Sequence, residues 1–264
     1  MSYERTNVVI GAASGMGLTI ARRLSDRSAN LLVADIDLTG VQRVAENLGC
    51  PARVAKADLT DRASLDALAE VTADLGVLVV TAGLSPTMGD GRRIFDVNLR
   101  GVANALAAFE PTAREGTVAV VFSSMAGHMA PPNTAIDAAL DDPLATSFFD
   151  DLTAAGVDVD EPGHAYSLSK RGVQRLARHA AVAWARHGAR VLSLSPGIVD
   201  TPMGRLEAEA RPVMTQMVAA SALGRAIDVA EIAAVVDFLT SPAAAAITGT
   251  DVLVDGGVIA SLGL

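Results

Sequence analysis

Short runs of β-branched residues alternate with longer Ala- and Leu-rich stretches of helical period along the whole chain. That alternation constrains the fold most, because strand, helix and strand in succession close as a parallel βαβ unit. Strands are predicted near Val8–Gly11, Leu31–Asp35, Arg53–Ala57, Val77–Thr81, Thr117–Ser123, Arg190–Ser195 and Asp251–Val254. Helices are predicted near Gly15–Asp26, Val41–Leu48, Ala63–Ala73, Val97–Phe109, Ala165–His187 and Val229–Thr240. The expected architecture is α/β, a doubly wound parallel sheet of about seven strands with helices on both faces. No internal repeat or low-complexity linker divides it, so residues 1–264 read as one domain.

Composition narrows the partners. Half the residues are hydrophobic but only 3% are aromatic, so the core must be built mainly from Ala, Val, Leu and Ile. The net charge of −9 argues against nucleic acid, which needs clustered cations. Cys50 is the only cysteine, which excludes an intramolecular disulfide and metal sites built on cysteine clusters. The four histidines show no metal-ligand spacing; His128 and His164 read as solvated residues. Met1–Asn7 is polar and no apolar run reaches membrane-spanning length, so a cytoplasmic protein is expected.

One segment breaks the rhythm. Residues 128–163 hold eight acidic residues (Asp137, Asp141, Asp142, Asp150, Asp151, Asp158, Asp160 and Glu161) and no Lys or Arg. Without them, 21 basic residues face 22 acidic ones, so the excess charge belongs to this insertion. Ile136, Leu140, Leu144, Phe148 and Leu152 recur every four residues, as two short amphipathic helices require. Asp142-Pro143 reads as an N-cap followed by Pro at the first helical position. The acidic residues are expected in solvent, and the apolar stripe against the substrate cleft, the sheet edge or a partner subunit.

Gly11-Ala12-Ala13-Ser14-Gly15-Met16-Gly17 follows the first strand and opens a helix. Gly11 permits a tight turn, and Gly15 and Gly17 let the helix N-terminus approach a pyrophosphate. Asp35 ends the second strand 18 residues after Gly17, placed to grip ribose hydroxyls and repel a 2′-phosphate. Ile36 and Asp37 supply no cation for such a phosphate, which favours NAD over NADP. Asp58, after the third strand, can touch the adenine amino group. The sheet is thus expected to be Rossmann-like.

Tyr166 and Lys170 stand four apart on a predicted helix and share one face. A phenol titrates near pH 10, and a nearby ammonium favours phenolate. Lowering that pKa by about 3 units corresponds to about 4 kcal/mol. Tyr166 can then take a hydroxyl proton, or return it.

The glycine loop, Ala82-Gly83 after the fourth strand, Asn98, Ser123-Ser124, Tyr166-x3-Lys170 and Pro196-Gly197-x-Val199-x-Thr201 occur in an order that resembles the classical short-chain dehydrogenase/reductase family. The resemblance spans nearly the whole chain and implies hydride transfer between a nicotinamide and a secondary alcohol or ketone. It implies that Ser124, rather than Ser123, bonds the substrate oxygen. Lys170 would also bind the nicotinamide ribose, and Asn98 would hold a water relaying protons to Lys170. Val199 and Thr201 would fix the carboxamide. Ser14, Met16, Ile36, Leu59, Ala82, Gly83, Pro196 and Gly197 complete the implied cofactor contacts.

Two departures stand out: Ile10 replaces the usual Thr before the first glycine, and Thr81 replaces the usual Asn before Ala82-Gly83, which bears on cofactor affinity. The short stretch from Gly83 to Asn98, the insertion and the Val254-Asp255-Gly256-Gly257 ending more loosely resemble bacterial 3α-hydroxysteroid dehydrogenase/carbonyl reductases. That implies an apolar cyclic substrate, and Met125, Met129 and the Met203–Met217 segment offer adaptable apolar side chains where a lid should lie. The resemblance also implies a homodimer or homotetramer; packing of the insertion beside the Tyr166 helix would block one helix-pair interface and favour the dimer. A non-catalytic dinucleotide-binding scaffold and an NAD-using dehydratase or epimerase are the competing readings. Net NADH formation separates them.

Overall fold

The structure, a computed structural model, describes residues 5–210 and 212–264. Of the polar stretch read at the N-terminus, residues 1–4 lie outside the described residues. The chain runs β1 (Thr6–Ile10), α1 (Gly15–Ser25), β2 (Asn30–Asp35), α2 (Leu38–Ala45), β3 (Ala52–Lys56), α3 (Arg62–Glu70), β4 (Leu75–Val80), α4 (Gly91–Phe95), a π-helical turn (Asp96–Arg100) and α5 (Gly101–Phe109). It continues β5 (Val118–Phe122), α6 (Met125–Met129), α7 (Thr134–Asp141), α8 (Phe148–Ala154), α9 (Pro162–Trp184) and β6 (Arg190–Pro196). It ends with α10 (Pro202–Ala210), α11 (Pro212–Ala220), α12 (Val229–Leu239), β7 (Asp251–Val254) and α13 (Val258–Ser261).

The seven strands form one parallel sheet in the order β3-β2-β1-β4-β5-β6-β7, the expected Rossmann-like α/β fold. Strand order reverses between β1 and β4, and a crevice opens at their carboxyl ends. The period-two pattern of each strand divides the core. Val8, Ile10, Leu32, Leu78, Val80 and Val121 face one helical layer, with Leu106, Phe109, Val173 and Trp184. Val9, Leu31, Val33, Val79 and Val120 face the other, with Ile20, Leu24, Ile232 and Val236. The sheet is aliphatic, as composition required. Most of the few aromatics gather in the first layer, where Trp184, Phe95, Phe109 and Phe148 are among the largest fully buried side chains.

Every predicted strand forms, with ends shifted by a residue or two. The helix expected to start at Val97 starts earlier, at Gly91, and passes through the π turn before α5. The short β4–α5 connection therefore still holds a helix. α6, α10, α11 and α13 carry too few periodic residues for prediction from sequence.

The insertion forms two helices, but Asp142 closes α7 instead of capping α8. Pro143 disfavours helical backbone at the residue before it, which ends α7 there. α8 starts five residues later, after Ser147. Leu140, Phe148 and Leu152 are buried in the first layer with Phe95, Ala165 and Val173, so the stripe faces its own domain. Leu144 departs from the stripe and is exposed. Phe148 meets Phe95 edge-on at 5.5 Å and Phe149 at 5.1 Å.

The acidic residues are not all solvated. Asp137 accepts a bidentate pair from Arg171 at 2.7 and 2.8 Å and lies 3.1 Å from Arg175. Asp141 takes both Nε and a terminal nitrogen of Arg175 at 2.6 Å. These arginines stand one turn apart on α9, so the carboxylates of α7 form a ladder along it. Truncating the aromatic anchor, Phe148→Ala, is expected to lower stability by about 3–5 kcal/mol. Urea unfolding checks this, and a loss under about 1 kcal/mol would mean the insertion is not part of the core.

Candidate functional site

The crevice is a cleft of about 330 Å³. Gly11, Ser14, Gly15, Met16, Gly17, Asp35, Ile36, Asp58, Leu59, Ala82, Gly83, Tyr166, Lys170 and Thr201 all line it. Its glycine loop is a close backbone crossing. A Cβ on Gly17 would lie 2.0 Å from the Gly11 carbonyl, and one on Gly11 would lie 2.5 Å from the Ala82 nitrogen, at φ +93°. Thr81 secures the crossing, its Oγ1 lying 3.1 and 3.2 Å from the Ile10 and Gly11 carbonyl oxygens. The hydroxyl thus replaces the missing amide as a tie between β4 and the loop.

This cradle fits a dinucleotide pyrophosphate. Ser14, at the N-cap of α1, makes no side-chain capping bond, and no acidic residue lies in the first turn. The leading N–H groups therefore face the cleft without a competing carboxylate. Thr201 returns over the loop, its methyl 3.7 Å from where a Gly15 Cβ would stand. Beside it, Asp35 accepts the Ala13 N–H at 2.9 Å and the Asp37 N–H at 3.0 Å. Asp58 accepts the Thr60 hydroxyl and N–H, at 2.7 and 2.9 Å. The Thr60 hydroxyl, with the charges of Arg93 and Lys56, holds the Asp58 carboxyl below the usual carboxylate range.

At the other end stand Tyr166 and Lys170. Glu161 caps α9 and Pro162 is its first residue, which sets the helix start and hence the Tyr166 face. The Lys170 ammonium is buried, donates to the Phe122 carbonyl at 3.1 Å and lies 5.7 Å from the Tyr166 ring centroid. Burial lowers its pKa from 10.5 to about 8. Ser123 and Ser124 separate chemically here. Ser123 donates to the Lys170 carbonyl at 2.8 Å and locks β5 to α9. Ser124 caps α6, accepting the Ala126 N–H at 3.2 Å, so its own proton stays available to a ligand oxygen. α6 presses on α9 through Gly127, where a Cβ would sit 2.9 Å from the Arg171 nitrogen. Ser123 lines the cleft with Tyr166 and Lys170, whereas the predicted Ser124 lies outside the cleft wall.

Asn98 lies in the π turn, fully buried and outside the cleft wall. Its amide clamps the β4–α4 loop, accepting the Leu84 N–H at 2.7 Å and donating to the Leu84 carbonyl at 2.9 Å. It meets Lys170 around Gly83, where a Cβ would stand 3.1 Å from Asn98 Oδ1 and 3.5 Å from Lys170 Nζ. Pro196, Gly197 and Val199 also lie outside the cleft wall. Gly197 is pinned against Asp255, and Val199 bridges to Ile227. Asp255 in turn caps α13, accepting the Gly257 and Ile259 N–H groups.

Sequence reasoning missed Leu84, Met88, Arg93 and Val97 as cleft residues. Arg93 and Val97 stand four apart before Asn98, a spacing that would have placed them on one face. Of the methionine-rich segment expected to form a lid, Met203 lines the cleft. Met214, Met217 and Val218 pack on Met125, Ile198, Val258 and Ile259, whereas Leu206, Val213 and Met129 remain exposed. His128 is not simply solvated: Nε2 bonds the buried Asp251 carboxylate at 2.7 Å. No cluster of potential metal ligands occurs, and no helix is long and apolar enough to cross a membrane, among the described residues.

Comparisons with known proteins agree with this arrangement. The short chain dehydrogenase family model matches residues 5–139, and a model described as enoyl-(acyl carrier protein) reductase matches residues 152–259. The chain is 32% identical to the short-chain dehydrogenase/reductase bsc3 of Alternaria brassicicola, covering 98% of this chain and 97% of that one. It is 31% identical to the cis-4-hydroxycyclohexanecarboxylate dehydrogenase of Sinomonas cyclohexanicum, covering 97% of each. A solved short-chain glucose/ribitol dehydrogenase from Brucella melitensis superimposes with a TM-score of 0.77, 25% identity and 96% coverage of each chain. The chain belongs to the short-chain dehydrogenase/reductase family, whose members are oxidoreductases that bind a nicotinamide dinucleotide.

The buried ammonium carries a stability consequence. Between pH of about 8 and 10.5 the unfolded chain holds more protons at Lys170 than the folded one, so cofactor-free stability rises with pH across that window. The whole effect is about 3 kcal/mol, and the cost is fully present below pH 8. Lys170→Met is therefore expected to melt at the same or a higher temperature than the native chain near neutral pH. The gain should shrink at higher pH. A lower melting temperature at neutral pH would show that the bond to Phe122 outweighs the burial cost.

Proposed function

We propose that this protein is an NAD-dependent dehydrogenase or ketoreductase of apolar secondary alcohols and ketones. The observation that supports the reading best is that half-buried Tyr166 and the buried Lys170 ammonium line a glycine-cradled cleft together with Ser123, with the donor-capable Ser124 next to it in the chain. When bound, a nicotinamide accepts the carbinol hydrogen with its electron pair, or supplies both in reduction. Ser124 donates to the substrate oxygen and holds it. Tyr166 takes the hydroxyl proton during oxidation and returns it during reduction, its phenolate favoured by the Lys170 charge. Lys170, which now donates to the Phe122 carbonyl, would also hold the nicotinamide ribose. Asn98 acts from behind, keeping Gly83 and the β4–α4 loop against Lys170. A water relay to Lys170 belongs to the same reading.

NAD is favoured because Asp35 lines the cleft at the end of β2 with a carboxylate that would repel a 2′-phosphate, followed by Ile36 and Asp37, which supply no cation. An apolar, cyclic substrate is favoured by the Met125, Met214 and Met217 cluster beside Ser124, and by the cyclic alcohol in the name of the Sinomonas relative. Cytoplasmic action and self-association as dimer or tetramer complete the reading. α7 covers α9 through the Arg171 and Arg175 ladder, which removes one helix face from such contacts and favours the dimer.

With NAD and a panel of cyclic secondary alcohols at mildly alkaline pH, absorbance of reduced nicotinamide should rise. Tyr166→Phe should lower the rate by at least about 100-fold. Tight NAD binding without turnover of any alcohol would favour the non-catalytic scaffold, and NAD-dependent conversion without net NADH the dehydratase or epimerase. Asp35→Asn is expected to shift the NAD-to-NADP affinity ratio about tenfold toward NADP, about 1.4 kcal/mol. An unchanged ratio would assign cofactor choice elsewhere.

A further inference from the structure

The charged side chains lining the cleft are Asp35, Asp58, Arg93 and Lys170. Lys170 is buried beside Tyr166. Arg93 has no such assignment. Its neighbours on the same helical stretch are engaged: Arg92 with Asp160 and the Phe149 ring, Arg100 with Asp96 and the Pro143 carbonyl. The Arg93 guanidinium makes no hydrogen bond or ion pair among the described residues. Only its backbone N–H is used, donating to the α4 cap Asp90 at 2.8 Å.

The surroundings direct this side chain into the cleft. Arg93 and Val97 are four apart, and both line it. The arginine stem passes over Gly89, where a Cβ would come within 3.3 Å of Arg93 Cγ. Asp58 feels its charge, which places the guanidinium near the carboxyl end of β3. Across the cleft, Ile36, Asp58 and Leu59 follow β2 and β3, on the far side of β1 from the chain after β4. The slot between them has aliphatic walls, one carboxylate acceptor and one planar cation. That set suits a flat heteroaromatic ring with an exocyclic amine, because a guanidinium stacks on π faces and a carboxylate accepts from an amine.

We propose that Arg93 is a further dinucleotide-binding residue, its guanidinium stacking on the adenine ring and closing the slot opposite Ile36, with Asp58 as the edge acceptor. The proposal rests on the nicotinamide-dinucleotide reading of the cleft. A phosphate role is the competing one for a guanidinium. The pyrophosphate, however, is served by the free N-terminus of α1, and the ribose position by Asp35.

The test is direct binding of NAD, 5′-AMP, 2′,5′-ADP and nicotinamide mononucleotide to the native protein, Arg93→Ala and Arg93→Lys, by calorimetry. Arg93 is exposed, so neither variant removes core packing. Arg93→Ala should weaken NAD and 5′-AMP alike by about 3- to 10-fold and leave nicotinamide mononucleotide unchanged. Arg93→Lys should recover little of the loss, since an ammonium is compact and lacks a stacking plane. Unchanged NAD and 5′-AMP affinity, or a loss confined to 2′,5′-ADP, would overturn the stacking role. If the native protein itself binds neither NAD nor 5′-AMP, the dinucleotide reading fails, and this assignment with it.

Discussion

The whole arrangement depends on how closely three backbones approach at the carboxyl ends of β1 and β4. Gly17 of α1 sits where any Cβ would collide with the Gly11 carbonyl, and Gly11 sits where a Cβ would collide with Ala82. Thr81 ties the same two segments through its hydroxyl. With α1 this near the sheet, its leading N–H groups open into the switch-point crevice, where an anion gains most from them. A side chain at either glycine would move the helix away and dissolve the cradle. The carboxylates of Asp35 and Asp58, the Ala82-Gly83 turn and Arg93 take their positions from strands and segments aligned by this crossing.

The Tyr166 and Lys170 end of the cleft is organised by burial. Lys170 is only 6% exposed, with a backbone carbonyl as its hydrogen-bond partner. An ammonium there is costly, which lowers its pKa toward 8 and leaves it responsive to any ligand that brings hydroxyls or a charge. Three contacts hold the cost in place: Ser123 to the Lys170 carbonyl, Gly127 against the same turn of α9, and Asn98 beside Gly83. The π turn is the local irregularity that sets Asn98 beneath the cleft, a common location for such turns. Burial of this one lysine as an ammonium costs the fold stability.

The insertion resolves differently from its composition. Its carboxylates look like a solvated flap, yet Asp137 and Asp141 meet arginines one turn apart on α9. Its apolar stripe joins the main core through Phe148 and Phe95. The segment therefore stiffens the outer side of the helix that carries Tyr166 and Lys170, while Met125 packs with the α11 methionines in a separate cluster. Acidic surface and apolar packing serve one helix from opposite directions.

Strand positions, the parallel order and the glycine cradle were legible because each rests on local chemistry: period-two apolar runs, a loop that only glycine permits, and an acid at a strand end. Tyr166 and Lys170 were legible through helical spacing. Arg93 and Met88 were not, since an arginine on a five-residue helix and a methionine in the loop before it show their cleft positions only once the fold directs them inward. The Asp142 cap was misread because local cap chemistry competes with the geometry that Pro143 imposes, and the pairing of Asp137 needs arginines some 34 residues away. The sequence by itself determined which elements form and which residues can bear the chemistry, because propensity, periodicity and turn constraints act over a few residues. Only the tertiary structure decided what is buried beside what, because the desolvation of Lys170, the bond from Ser123 to the Lys170 carbonyl and the walls of the cleft arise from contacts between residues far apart in the chain.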